Sequence, residues 1–412
     1  MSNKIDLDYQ NLIKDILENG TVKETRNGKT LSLFGKTIKY KFVYNKAPLI
    51  TTKKMAFKSI VTELIWFLRG DTNIKFLLDN NCHIWDGDSY KYYTKHPCAT
   101  ISDHNTNILY KNLEKGWCIR TGLSFMAPDP TRHLTKEEFI EKIKSDDEFA
   151  KTWGDLGFIY GKQWRRWQFT EIVKEDKNAQ VKLGHIDQIA CLISELKNNP
   201  DSRRLLVTAW NPGELDQCVL PPCHYAFQVY TRELTRKEKI DWVMRNSYET
   251  GMEREVIEAC WKDEDFHCEY YDTPKRAISL IWNQRSVDIG LGLPFNIASY
   301  SLLLIVFGKM LNMIPEELIG NLGDCHIYSN QIDEIKKQIT KEPYELPTIS
   351  FSKKTETIFN KFRGCNTLED KNLGKDFGYY NNVENVINSL KTSDFVLENY
   401  KSHPKIHFPL SN

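Results

Sequence analysis

The chain has 412 residues, and its 56 lysine and arginine residues nearly balance its 55 aspartate and glutamate residues, which gives a formal net charge of +1. A chain with this balance has no general field that attracts nucleic acid or an acidic membrane surface, so an anionic ligand must be held by a local group of cations. A hydrophobic content of 41% with 12% aromatic residues is sufficient for a buried core and excludes disorder of the whole chain.

The ten cysteines show no CxxC pair or zinc-finger spacing, and the first residues lack the apolar segment of a signal peptide. We therefore expect reduced thiols and a cytoplasmic location, which is the host cytoplasm if the source is a virus. The sequence contains no H-E-x-x-H motif and no carboxylate triad, so neither of these patterns indicates a metal site.

Hydrophobic spacing predicts the first elements of the chain. Residues 8–20 form an amphipathic helix pattern that ends at Gly20, and residues 30–35 and 36–44 alternate as a pair of strands. Residues 57–69 are apolar nearly all round, which predicts a buried helix with Glu63 as the one charge in its interior. A buried carboxylate is costly unless it is paired or used, so Glu63 is a candidate functional residue.

Later segments predict a single core that two insertions interrupt. A further helix at 184–199 and strands at 203–210, 221–230 and 278–286 share the apolar, aromatic-rich character of the first elements. Residues from about 92 to 150 and from 231 to 276 are mixed polar and charged instead. We expect the first insertion to form a small subdomain, and we assign no role to the second.

One uncharged stretch, residues 289–308, is about as long as a bilayer is thick. Pro294, Asn296 and two glycines interrupt its first third, and Lys309 follows directly. These residues favour a turn that leads into a buried helix over a membrane span.

Cys223 follows two prolines, which stiffen the chain and hold the thiol in place. A free cysteine is most often a small buried hydrophobe, and the alternative is a nucleophile activated by nearby cations. Arg203, Arg204 and Arg285 lie beside apolar strands and are candidates for those cations, or else solvated strand ends. A dyad with His224 is disfavoured because neighbouring strand residues point to opposite faces.

Other polar groups cluster near the apolar strands. Gln284, Arg285 and Ser286 precede Asp288, and Asn296 lies in an apolar setting where its amide can recognise the edge of a base or can cap a helix. His326 and Tyr328 alternate onto one strand face, where they can contact a sugar hydroxyl or serve as core aromatics.

Nine strings, taken together and in order, resemble the thymidylate synthase family. They are PLITTKK (48–54), ELIWFLRGDTN (63–73), HIWD (83–86), DLGFIYGKQWR (155–165), DSRRLLVTAWNP (201–212), LPPCH (220–224), QRS-x-D (284–288), GLGLPFNIASY (290–300) and GDCHIY (323–328). DFVLENYKSHP (394–404) is similar to the tail of a phage enzyme of this family, and the end of the first insertion is similar to a small domain of lactobacillary synthases.

The resemblance implies an α+β fold in which a mixed β-sheet is layered with helices, one catalytic domain over residues 1–412. It also implies transfer of a one-carbon unit from 5,10-methylenetetrahydrofolate to C5 of dUMP, giving dTMP and dihydrofolate, without a metal. Cys223 matches the family's nucleophile, whose thiolate adds to C6 of the pyrimidine. Glu63, Tyr160 and His224 match the groups that organise proton transfer.

The remaining roles follow from the same resemblance. Arg26, Arg285 and Ser286 are expected to hold the phosphate, with Arg203 and Arg204 supplied by a second subunit of a homodimer. Asn296 is expected to recognise O4 and N3–H of uracil, where an acidic residue suits cytosine. Further expected nucleotide contacts are Gln284, Asp288, His326 and Tyr328, and expected folate contacts are Lys53, Ile84, Trp85, Asp288 and Gly292.

Departures from the family pattern surround the folate. The chain ends HFPLSN instead of in a small apolar tail, Asn283 replaces a tyrosine, Asp88 replaces a tryptophan, and the phosphate loop around Arg26 is shortened. If water reaches the C5 methylene before hydride, the product is 5-hydroxymethyl-dUMP and the enzyme is a deoxyuridylate hydroxymethylase. A catalytically silent nucleotide- or RNA-binding protein is the third alternative, which the set of Cys223, Glu63 and Asn296 disfavours.

Overall fold

The computed structural model describes residues 3–25, 27–43, 45–96, 133–175, 178–246, 257–258, 272–364 and 377–409. Most of the first predicted insertion, half of the second, and Arg26 in the phosphate loop lie outside these residues.

A six-stranded mixed sheet forms the centre of the fold, with the strand order β1-β2-β8-β7-β6-β5. Strands β7 and β8 are parallel, and the other neighbours in this sheet are antiparallel. Two separate ribbons pair β3 with β4 and β9 with β10. The strands are β1 Thr21–Thr25, β2 Gly28–Lys41, β3 Trp167–Glu175, β4 Asn178–Ile186, β5 Leu206–Thr208, β6 His224–Glu233, β7 Arg276–Asp288, β8 Met313–Tyr328, β9 Thr348–Phe351 and β10 Phe395–Glu398.

Helices pack against the sheet, so the predicted α+β fold with a mixed sheet is confirmed. Their bounds are α1 Lys4–Asn19, α2 Phe57–Leu68, α3 Ile74–Asp79, α4 Asp86–Lys95, α5 Lys136–Ser145, α6 Asp147–Trp153, α7 Tyr160–Arg166, α8 Gln188–Asn198, α9 Arg236–Asn246, α10 Gly292–Leu311, α11 Ile332–Gln338, α12 Lys353–Gly364 and α13 Phe377–Ser389.

The central helix is α10, which follows the turn predicted at residues 289–292. This helix is long and apolar enough to cross a membrane, but 78% of an 18-residue apolar stretch of it is buried inside the protein. It packs on β7, β8 and α2, and residues from Leu302 to Leu304 are almost fully buried. A helix that is apolar all round is stabilised by contacts on every side, as this one is.

The first strands differ from the sequence prediction. Residues 30–35 and 36–44 were expected as two paired strands, but residues 28–41 form the single strand β2, which pairs with β1 on one side and β8 on the other. Gly35 has a φ of +76°, a conformation that glycine adopts without steric cost. The pairing with β8 continues from Phe34 to Lys36 on either side of Gly35, so this irregularity does not end the strand.

One large cluster of buried hydrophobic residues runs from Ile5 to Phe408 and includes Phe139 and Ile143 of the first predicted insertion. The second predicted insertion begins as a continuation of β6 and ends in β7. Its helix α9 is tied to the sheet by Arg232, whose guanidinium pairs with Glu238 at 2.7 Å and with Glu316 at 2.6 Å.

Candidate active site

Cys223 lies directly before β6 and is partly exposed. Its backbone N–H donates to the hydroxyl of Tyr160 at 2.8 Å, and its carbonyl accepts from the N–H of Arg285 at 2.9 Å. The prolines that precede it are also bound, because the Arg285 guanidinium donates to the carbonyls of Pro221 and Pro222, each at 2.9 Å. Cys223 is therefore held on a short segment that is fixed from both sides, and the Arg285 guanidinium is bound to the two residues before it.

Three aromatic side chains are packed behind Cys223. The rings of Tyr160 and His224 stack with centroids 4.1 Å apart, and His224 Nδ1 lies 2.8 Å from the Tyr300 hydroxyl. Burial lowers the pKa of His224 to about 3, because the charged imidazolium would lose its hydration. His224 is therefore a neutral hydrogen-bonding group at physiological pH.

Glu63 lies on the largely buried helix α2, next to Trp85, and is only partly accessible to solvent. Its Oε1 accepts a hydrogen bond from Trp85 Nε1 at 2.8 Å, and the rings of Trp85 and Tyr160 are 6.3 Å apart. Burial raises the pKa of Glu63 to about 7, and the Trp85 hydrogen bond only partly offsets this effect. A carboxyl with a pKa near 7 can both give and take a proton at neutral pH.

Gln284 and Asn296 form an amide pair between β7 and α10. Gln284 Nε2 donates to Asn296 Oδ1 at 3.1 Å and to the Ser286 carbonyl at 3.0 Å, while its Oε1 accepts from Trp282 Nε1 at 3.2 Å. Gln284 is buried, and Asn296 is partly exposed in the first turn of the helix. We call Tyr160, Cys223, His224, Gln284 and Asn296 the Cys223 cluster.

The five predicted phosphate ligands are not all in one place. Arg285 and Ser286 lie beside Cys223 at the end of β7, and the Arg285 guanidinium also lies 5.2 Å from the ring of Trp210. Arg203 and Arg204 are exposed on the segment that leads into β5. Arg26 lies outside the described residues.

A second group of residues lies around Lys53. This side chain is only 4% exposed, its Nζ donates to the Gly290 carbonyl, and the ring of Phe408 lies 4.6 Å from its Nζ. Burial lowers the pKa of Lys53 to about 7, against the opposing effect of Asp288. The expected contact of Lys53 with a folate stays a prediction, and in this structure the Phe408 ring would have to move first.

Asp288 and His326 are directly paired in the register of β7 and β8, beside Lys53. Burial raises the pKa of Asp288, and the nearby His326 and Lys53 oppose that effect. The Asp288 carboxylate accepts from the Leu291 N–H at 3.0 Å, which shapes the turn before α10. We call Lys53, Asp288, His326 and Phe408 the Lys53 cluster.

His326 and Tyr328 share one face of β8, as the alternation predicts, with ring centroids 5.2 Å apart. His326 Nδ1 lies 3.1 Å from the Asp324 carbonyl, and the Asp324 carboxylate accepts from Ser32 at 2.5 Å and Lys23 at 3.0 Å. The His326 ring is thus in contact with Asp324 of its own strand, and Asp324 is bound in turn to β1 and β2.

Two further predicted folate contacts, Gly292 and Ile84, lie among the described residues. Gly292 lies between Asp288 and Asn296, where an added Cβ would meet their side chains at 3.6 and 3.8 Å. Ile84 is 38% exposed beside the buried Trp85, and an exposed apolar side chain here is available for a flat ligand. No group of three or more potential metal ligands occurs among the described residues.

The structure adds residues that sequence analysis missed. Tyr300 could have been predicted from the sequence, because it lies four residues after Asn296 and positions i and i+4 share a helix face. Trp282 and Phe408 carried no signal beyond apolar character, although both contact predicted site residues.

Comparison with known proteins agrees with this geometry. The family model for thymidylate synthase matches residues 7–412. The chain is 35% identical over 354 residues to the thymidylate synthase of Malacoplasma penetrans, which covers 86% of this chain and 91% of the relative. It is 36% identical over 373 residues to that of Phytoplasma mali, with 90% and 96% covered, and 36% identical over 358 residues to that of Listeria monocytogenes serotype 4a, with 85% and 92% covered. The chain belongs to the thymidylate synthase family, and it is a methyltransferase.

Proposed function

We propose that this chain converts dUMP to dTMP with 5,10-methylenetetrahydrofolate as both carbon donor and reductant, through a covalent adduct on Cys223. The observation that carries the proposal is the Cys223 cluster, in which a fixed thiol adjoins an amide pair suited to an imide edge. Membership of the family supports the same reaction.

The first step is addition of the Cys223 thiolate to C6 of the pyrimidine, which forms the S–C6 bond and makes C5 an enolate-like nucleophile. C5 then attacks the methylene carbon of the folate, whose bond to N10 breaks, and C5 loses its proton. The bond between the methylene carbon and N5 breaks next, which releases tetrahydrofolate and leaves an exocyclic methylene at C5. Hydride from tetrahydrofolate adds to this methylene as the Cys223 thiolate leaves C6, which restores the 5,6 double bond and gives dTMP and dihydrofolate. Arg285, bound to the carbonyls of Pro221 and Pro222, places positive charge next to the segment that carries Cys223.

Glu63 is suited to proton transfer during these steps. Its pKa of about 7 leaves comparable amounts of acid and base at neutral pH, and its Trp85 hydrogen bond fixes the carboxyl on the side of Tyr160. Tyr160 and neutral His224 are hydrogen-bonding groups that support this transfer, with Tyr160 also holding the Cys223 backbone.

Asn296 is the group that distinguishes uracil from cytosine in this proposal. Because its Oδ1 accepts from Gln284, its NH2 group is free to donate to O4, while the second lone pair of Oδ1 accepts from N3–H. His326 and Tyr328 would bind the sugar hydroxyl, and Asp288 the turn beside the base.

The phosphate requires a second subunit, so we propose a homodimer. The face of β5 and β6 that turns away from buried Phe227 carries Leu206 and Tyr230. Leu206, which pairs with Gln228, is 50% exposed, and Tyr230 is 63% exposed. An apolar face beside exposed Arg203 and Arg204 suits a two-fold contact in which each copy lends its arginines to the other. Arg285, Ser286 and the predicted Arg26 would complete the anion site.

The folate would lie over the nucleotide against Ile84, Trp85 and Gly292, near Asp288 and Lys53. We also propose a cytoplasmic location, which suits the cysteines that form no disulfide among the described residues, Cys82, Cys191, Cys218, Cys223 and Cys325.

Product identification tests the proposal. The full-length chain is incubated with dUMP and methylenetetrahydrofolate, and nucleotide and folate are identified by mass spectrometry and absorbance. We expect dTMP and dihydrofolate in equal amounts. Formation of 5-hydroxymethyl-dUMP with tetrahydrofolate, or no conversion at all, would contradict it.

The dimer is tested by mixing two inactive variants. Arg203→Ala/Arg204→Ala and Cys223→Ala subunits are unfolded and refolded together, so that mixed dimers contain one site with an intact thiol and intact partner arginines. We expect activity to return in the mixture but not in either variant refolded alone. Absence of any recovery, with dimers present by light scattering, would refute the sharing of arginines.

A further inference from the structure

The orientation of the Asn296 amide follows from a residue that is itself remote from the substrate. Carboxamide O and N atoms are similar in size, so an amide can be turned over without a change in shape. A neighbour with only one possible role removes this ambiguity, and an indole N–H is such a neighbour because it can only donate.

Trp282 supplies this fixed donor. It lies two residues before Gln284 on β7, so both side chains share one face of the strand. Its Nε1–H is 3.2 Å from Gln284, which obliges the nearer amide atom to be the acceptor Oε1. The NH2 group of Gln284 then faces Asn296 at 3.1 Å and the Ser286 carbonyl at 3.0 Å.

The same logic fixes Asn296. The atom that receives the Gln284 N–H must be Oδ1, so Nδ2 lies on the other side of the amide. Uracil presents an acceptor at O4 and a donor at N3, whereas cytosine presents a donor at N4 and an acceptor at N3. An Asn296 amide in the observed sense therefore suits uracil, and the reversed sense suits cytosine.

The Trp282 ring is itself locked in place. It is 1% exposed and stacks on Tyr300 with centroids 5.4 Å apart and planes 8° from parallel. A methyl group at Gly320 on the adjacent strand β8 would overlap the indole, so this glycine leaves the space that the ring occupies. The donor thus has no alternative position while the core stays intact.

We propose that Trp282 is a specificity-determining positioning residue, which together with the Ser286 carbonyl sets the sense of the Gln284–Asn296 amide pair and thereby the preference for uracil. The inference rests on the proposed role of Asn296. It differs from that role because Trp282 is buried in the core and acts on the substrate only through Gln284.

Trp282→Phe tests the inference, since phenylalanine keeps a stacking ring and removes the donor. The readout is the ratio of kcat/KM for dUMP to that for dCMP, supplemented by equilibrium binding of both nucleotides. We expect this ratio to fall by about tenfold, the order of effect of one lost hydrogen bond to a buried amide. Trp153→Phe, at a buried tryptophan of α6, is the matched control and should leave the ratio unchanged.

Gln284→Glu examines the same point from the other end and serves if Trp282→Phe does not fold. The introduced carboxylate cannot donate to Asn296, so the Asn296 NH2 group is expected to turn toward it and the ratio to fall again. A ratio within twofold of the wild-type value in a folded Trp282→Phe or Gln284→Glu variant would overturn the inference. Failure of the proposed function is distinct, because the wild-type chain would then make no dTMP from dUMP.

Discussion

The Cys223 cluster and the Lys53 cluster are built on different principles, although Gly292 lies close to both. In the Cys223 cluster, neutral groups on β6, β7 and α10 hold one another through hydrogen bonds between 2.8 and 3.2 Å. In the Lys53 cluster, the buried amine of Lys53 lies under the ring of Phe408 and close to the partly exposed Asp288. Neutral partners preserve a fixed geometry at low cost, whereas buried charges depend on the segment that covers them.

This difference suggests a division of labour. The Cys223 cluster is rigid because regular elements of the core position its residues, and it is the part that we propose to recognise the nucleotide. The Lys53 cluster includes a terminal segment, held in part by the hydrogen bond from Gln331 Nε2 to the Pro409 carbonyl at 3.3 Å. Terminal segments open more readily than core strands, so this side is suited to admit and then enclose a second substrate.

The largest expected effect comes from removal of the nucleophile. Cys223→Ala should lower kcat by about 10⁴-fold or more, because no covalent adduct can form. Binding of dUMP, measured by calorimetry, should persist because the amide pair remains intact. Turnover near the wild-type rate would rule out the covalent route.

Glu63→Gln is expected to have the next largest effect. Glutamine can still accept from Trp85 but cannot ionise, so kcat should fall by about 10²-fold or more. The pKa of about 7 also predicts a pH profile: kcat/KM of the wild type should rise as the carboxylate forms through pH 7. The variant should lose this rise. An identical pH dependence in the two proteins would show that Glu63 is not the titrating group.

Asn296→Asp should alter selectivity more than rate. The introduced acid no longer presents the amide donor to O4 and suits cytosine, so the preference for dUMP over dCMP should fall by about 10- to 100-fold. Competition between the two nucleotides measures this ratio. Unchanged selectivity would remove Asn296 from its proposed role and leave the Cys223 cluster without a base-recognising group.

Phe408→Ala should have the smallest effect and should be confined to the other cluster. Loss of the ring weakens the segment that we expect to enclose the bound folate, so KM for the folate should rise several-fold while KM for dUMP stays constant. Limited proteolysis should also cut the last residues faster. His407→Ala, at an exposed neighbour, is the control. Equal increases in both KM values would contradict the separation of the two clusters.

The Cys223 cluster was the more predictable of the two from sequence. Paired prolines before Cys223 and the polar Asn296 in an apolar helix are local signals with a physical meaning, and they were sufficient to select both residues as candidates. The role of Trp282 could not be predicted, because hydrophobic alternation identifies it only as an apolar strand residue and does not indicate a hydrogen bond from its N–H. Its effect depends on which atom of Gln284 lies beside it, and sequence does not give that.

The Lys53 cluster was less predictable for a different reason. Two adjacent lysines at the end of PLITTKK indicate a solvated segment, and only Lys54 is exposed. Lys53 is buried by Phe408, which is more than 350 residues away in sequence, and a contact at that separation leaves no local trace. The single strand β2 was missed likewise, since Gly35 signals a turn unless the neighbouring strands are known.

The most direct test of the central claim is a trapped adduct. With 5-fluoro-dUMP, C5 carries a fluorine that cannot leave as a cation, so the reaction should stop after the folate has been joined to C5. The full-length chain is incubated with this nucleotide and methylenetetrahydrofolate, digested, and examined by mass spectrometry. We predict one modified peptide, with nucleotide and folate together on Cys223. An unmodified Cys223, or an adduct on another cysteine, would contradict the account.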